Sequence, residues 1–157
     1  MARELMDFGG RHFIFDTKFS DRPDKFGNEA RYAYINLTDE EAADLKARGF
    51  NVKQTEETEK FKAEWYIKII VKYGDNSMLW PKVYLKADND NDDPYLYSPD
   101  NIGRIDDLWI SNVDVVCAPY EYRPGEFSLY VKFMYLTQNI SADPYHDKYF
   151  RNRGDNQ

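Results

Sequence analysis

At 157 residues, 42% of them hydrophobic and 17% aromatic, the chain has the size and composition of one globular domain with a sizeable core. A net charge of −7 argues against general DNA binding through overall attraction, and a lone cysteine, Cys117, rules out an internal disulfide and fits a reducing cytosol. No run of about 18 apolar residues exists, so no membrane span is expected, and the first seven residues lack the apolar core of a signal peptide.

In chain order, Arg11–Phe19 reads as a first strand entered through Gly9-Gly10, with Phe13, Phe15 and Phe19 on one face. Ser20–Glu29, broken by Pro23 and Gly27, is a polar loop that carries Arg22, Lys25 and Phe26. Arg31–Leu37 alternates Ala33, Ile35 and Leu37 against Tyr32, Tyr34 and Asn36, a second strand. Thr38 with Glu41 three residues on spells a capping box, and it predicts one short helix over about 39–48. Ala42, Ala43 and Leu45 supply its apolar stripe and Gly49 its stop. Phe50–Lys53 resumes extended chain, and Thr55–Lys60 is a charged loop.

Glu64–Tyr73 sets Tyr66, Lys68 and Lys72 against Trp65, Ile67, Ile69 and Val71. After a turn-like Gly74–Ser77, Pro81–Lys86 sets Lys82, Tyr84 and Lys86 against Val83 and Leu85. Asp88–Asp93 reads as a solvated acidic loop, and Ser98-Pro99-Asp100 opens a short helical turn before Ile105. Trp109–Ala118 and Phe127–Leu136 form a last hairpin around Pro119 and Pro124-Gly125. In its second arm Tyr130 and Lys132 oppose Phe127, Leu129, Val131 and Phe133. From about residue 141 the chain reads as a flexible tail. Seven or so short strands and one helix predict a mainly β domain over 1–157, a small barrel or sandwich.

No catalytic constellation assembles, so no enzyme activity, cofactor or metal is expected. Asp88–Asp92 imitates the start of a calcium loop, but Asp93 and Pro99 stand where the glycine and the bidentate glutamate belong. His12 and His146 have no ligand-spaced partners. Cys117, inside the apolar run Val113–Ala118, reads as a small buried hydrophobe. The tripeptide Arg153-Gly154-Asp155 is best explained by chance.

Three strands share one pattern, a core face backed by an aromatic and cationic face. Lysine on edge strands and tyrosine on half-exposed sheets are common enough to explain any one of them. Three together suit single-stranded nucleic acid, which needs cations for phosphates and flat rings for bases. The acidic total permits this because its charge is uneven. Asp88, Asp90, Asp92, Asp93, Asp100, Asp106 and Asp107 fall within 88–107 with only Arg104 against them. The predicted binding residues are Tyr66, Lys68, Lys72, Lys82, Tyr84, Lys86, Tyr130 and Lys132 on the strands. Arg22, Lys25, Phe26 and Arg31 add a second cationic-aromatic group.

Four segments sharpen this reading: Gly10–Ser20, Thr38–Lys53, Ile110–Val116 leading to Pro119-Tyr120, and Leu129–Thr137. With them the chain resembles the bacteriophage single-stranded-DNA-binding proteins that have an OB-fold. The resemblance implies an OB-like β-barrel that coats single-stranded DNA during replication or recombination, without sequence specificity and without a cofactor. It also implies a site in the host-cell cytoplasm, and as partners single-stranded DNA, phage or host replication proteins and further copies of the chain. One feature departs from it, since several such proteins end in an acidic tail and this chain ends in Lys148–Arg153 and a few polar residues. Two rivals belong to other classes: a small acidic inhibitor of a host defence nuclease that mimics DNA, and a virion or scaffolding β-protein.

Overall fold

The computed structural model describes residues 4–23, 27, 30–87 and 94–138. Lys25, Phe26, the acidic run Asp88–Asp93, His146 and the tail from 141 lie outside the described residues. Among the described residues the fold is mainly β with one α-helix, as the alternating stretches and the capping box predict. Its strands are β1 (Met6–Arg11), β2 (Phe13–Lys18), β3 (Arg31–Leu37), β4 (Val52–Gln54), β5 (Trp65–Val71), β6 (Lys82–Ala87), β7 (Tyr95–Tyr97), β8 (Ile110–Arg123) and β9 (Glu126–Gln138). The helix, α1, spans Asp39–Ala47.

All nine strands belong to one mixed sheet whose main path is β1-β8-β9-β5-β3-β2. Most neighbours run antiparallel, but β9 runs parallel to both β5 and β6. The register makes these two pairings successive. β5 meets β9 at Ile69↔Leu129 and Ile70↔Tyr130, and β6 takes over at Lys82↔Phe133. The three lysine-tyrosine strands are therefore neighbours, with β6 resuming on the side of β9 where β5 leaves off.

Up to Val131 the inward faces carry the apolar set that period-two alternation predicts, and Met134 joins them only beyond a β-bulge. Ile35, Ile69, Val83, Val113, Leu129 and Met134 are fully buried in one core. Each such side chain contributes about 1.5–3 kcal/mol relative to leaving it exposed. Thr38 caps α1 as predicted, its hydroxyl accepting from the Glu41 N–H at 3.1 Å. Of the predicted stripe, Ala42 and Leu45 are buried and Ala43 is exposed. Arg11 donates to both Glu41 carboxylate oxygens at 2.5 and 2.6 Å, which ties β1 to the helix start. That guanidinium holds the Glu41 carboxyl down at about 2.

Two expectations are corrected. Arg11–Phe19 is not one strand with three phenylalanines on a face. Phe13–Lys18 is a strand as read, but Arg11 ends a separate strand, β1, across His12, and the β2–β3 register slips between Ile14 and Lys18. Phe15 sits in that slip with φ 65° and is 60% exposed, while Phe19 is buried. Phe133 is likewise not on the core face. Lys132 is an extra residue opposite the Val116–Cys117 step of β8, a β-bulge. A bulge reverses the alternation beyond it, so Phe133 turns outward and Met134 inward.

Candidate nucleic-acid interface

The outward face of β3 and β5 gathers four aromatic rings. Tyr34 meets Tyr66 edge-to-face at 5.4 Å, and Tyr32 meets Tyr34 at 5.7 Å. Phe15 closes the cluster, at 5.3 Å from Tyr66 and 5.9 Å from Tyr34. Edge-to-face contact is the geometry that ring quadrupoles favour. A non-glycine residue at positive φ costs on the order of 1–3 kcal/mol, and such strain gathers where a side chain must be re-aimed. Here it delivers an exposed ring to the cluster.

Two lysines attend the rings. Lys68 Nζ lies 4.2 Å from the centroid of Tyr32, and Lys18 Nζ lies 5.8 Å from it. Lys53 pairs across the strands with Tyr66, on the same face. The face continues onto β9 through the Ile70↔Tyr130 pair, and Tyr120 on β8 packs edge-to-face on Tyr130 at 5.5 Å. Beyond the bulge it carries Lys82 beside Phe133 and Tyr84 beside Tyr135.

The predicted strand residues Tyr66, Lys68, Lys82, Tyr84, Lys86 and Tyr130 thus share one side of the sheet, and Lys132 is the unpaired bulge residue between Tyr130 and Phe133. Lys72 follows the last residue of β5 and is exposed. Arg31 stands apart from them. It pairs with buried Val71 on the inward side, donates to the Phe19 carbonyl at 2.7 Å and covers the Tyr73 ring. Arg22 lines a separate cleft of about 560 Å³ with Arg31 and Arg104. That cleft also carries Asp21, Asp100, Asp106 and Asp107. One carboxylate of the acidic span is structural, since Asp106 accepts from the Thr17 hydroxyl and from the Phe19 and Ser20 N–H groups.

Sequence reasoning left Phe15, Lys18, Tyr32, Tyr34, Lys53, Tyr120, Phe133 and Tyr135 out of the site. The alternation of Tyr32 and Tyr34 was a usable signal. For Phe15 and Phe133 there was none, because neither the positive φ nor the bulge is marked by glycine.

Among the described residues no three His, Cys, Asp or Glu side chains gather to hold a metal, and no helix is long and apolar enough to cross a membrane. Burial pushes the Cys117 thiol up to about 12, away from nucleophilic use at neutral pH. Comparison with protein-family models, curated proteins and solved structures returns no match to this chain.

Proposed function

We propose that this protein binds single-stranded DNA without sequence specificity and coats it during phage-type replication or recombination, in the host-cell cytoplasm. The observation that carries the reading is the ring cluster Phe15–Tyr34–Tyr66–Tyr32 with Lys68 and Lys18 against it. Rings supply stacking surfaces that any base can use, and lysines supply phosphate neutralisation. Local charge decides attraction to such a face, so an acidic total is compatible with it.

An OB-like barrel is the architecture we propose for it. In support, the two ends of the sheet path, β1 and β2, are parted in sequence by His12 alone. Taken as one bent first strand, they give a five-strand path completed by β3, β5, β9 and β8. The helix, β4 and the β6–β7 pair are additions to it. OB-folds bind oligonucleotides on their second and third strands and on the loops joining strands one to two and four to five. Those elements here are β3, β5, the connection from β2 to β3, which carries Arg22, and the β8–β9 turn beyond Tyr120 and Tyr130.

Titrating a labelled oligo-dT and a duplex of equal length at two salt concentrations tests the reading. The single strand should bind more tightly, with affinity falling as salt rises. Equal or tighter duplex binding would overturn it, because stacking requires unpaired bases.

A further inference from the structure

The Lys132 bulge has a consequence for the size of the site. Without it, Phe133 and Tyr135 would face the core and Met134 would face solvent. With it, Phe133 and Tyr135 emerge beside β6, 40% and 47% exposed. Tyr84 and Tyr135 lie stacked with centroids 4.9 Å apart and planes 9° from parallel, unlike the edge-to-face rings of the first cluster. Lys82 adjoins Phe133, and Lys86 adjoins Thr137. The nearest acid on β8, Asp114, accepts from the Gly10 N–H at 2.8 Å and from the Asn112 amide at 2.9 Å. Bulges recur next to binding sites, where they re-aim side chains.

We infer that Tyr84, Phe133 and Tyr135, with Lys82 and Lys86, form a second stacking subsite, so that a bound single strand runs along β9 from Tyr130 across Lys132 onto β6. The inference rests on the reading of this face as a single-strand interface and adds the extent of the ligand. Across the bulge Tyr130 and Tyr135 lie opposite Ala118 and Asp114 of β8, four strand steps or about 13 Å apart. A strand long enough to cover that distance engages both ring groups, and a short one engages only the first. Both groups are aromatic and cationic, so the occupant is the same polyanion with flat bases in each.

The test is a ladder of labelled oligo-dT from about 4 to about 30 nucleotides, which brackets the site sizes of single OB-folds. Wild-type affinity should rise in two steps with length. Tyr84→Leu/Tyr135→Leu should abolish the second step, weakening long-strand binding by about 5- to 150-fold per stacked base lost. Short-strand binding, carried mainly by the Phe15–Tyr34–Tyr66 group, should fall far less. Lys82→Glu/Lys86→Glu leaves the ring pair intact and should suppress the same step, which keeps the test decisive if the tyrosine variant misfolds. A single step in the wild type, or equal losses for short and long strands, overturns the inference while leaving single-strand binding in place. Loss of self-association in either variant with an unaltered length profile also overturns it, and identifies the patch as a contact between copies. Absence of oligo-dT binding at every length would instead overturn the proposed function itself.

Discussion

Lys68 on β5 holds its ammonium 4.2 Å from the ring centroid of Tyr32 on β3, so one side chain assigned to phosphates already touches one of the rings. Charge and aromatic surface are therefore coupled at this point. Replacing Lys68 with alanine and Tyr32 with leucine, singly and together, should give non-additive losses of oligo-dT affinity. The coupling should be about 0.5–1 kcal/mol, the strength of an exposed cation–π contact. Additive losses would show that the two residues act independently.

Gly49 joins the end of α1 to the β8–β9 turn. It has φ 97°, and a Cβ there would lie 2.0 Å from the Gly125 carbonyl oxygen. Its own carbonyl accepts from the Phe127 N–H at 3.1 Å, while the Phe50 and Phe127 rings stack at 5.4 Å. Gly49→Ala should destabilise by more than the roughly 1–3 kcal/mol of left-handed strain alone, seen as a lowered urea midpoint. Gly125→Ala has open space around its Cβ and should lose only the strain.

The Arg11–Glu41 pair predicts an acid limb. The folded carboxyl titrates at about 2, against an ordinary value of 4.5. A depressed folded value means that its stabilisation is complete above the ordinary value and is lost as pH falls from about 4.5 toward 2. Glu41→Gln should be less stable than wild type at neutral pH, and the difference should shrink across that window. Urea unfolding at stepped pH measures it. A difference that grows on acidification would contradict the assignment.

Cys117 is fully buried, with its thiol held up at about 12. A thiol reagent at neutral pH should label it only as fast as the protein opens, and labelling should accelerate in urea in step with unfolding. Rapid labelling of the folded protein would contradict its burial.

The strands, the helix cap and most of the tyrosine-lysine face were legible because each is local. Period two in 31–37 and 64–73 assigns faces without tertiary knowledge, and Thr38 with Glu41 marks a helix start within four residues. Even Arg31 was readable, since its alternation sets it opposite Tyr32 and beside Ala33. What stayed hidden depends on partners distant in sequence. The parallel pairing of β9 with β5 and then β6 has no local signature. The bulge at Lys132 and the positive φ at Phe15 occur at residues that ordinarily continue a strand. β1 escaped notice because Asp7, Gly9 and Gly10 read as loop, although Phe8 reaches the core opposite Val115.

The central claim is that rings and lysines on one sheet face divide the work on a single strand. The salt dependence of oligo-dT binding tests it most directly, compared among wild type, Lys68→Ala/Lys132→Ala and Phe15→Leu/Tyr66→Leu. The lysine variant should bind more weakly, with a log–log salt slope shallower by about 0.7 per lost contact. The aromatic variant should weaken by about 5- to 150-fold per base unstacked, with the wild-type slope retained. A folded aromatic variant that binds as tightly as wild type, or a wild type that ignores oligo-dT, would contradict the account.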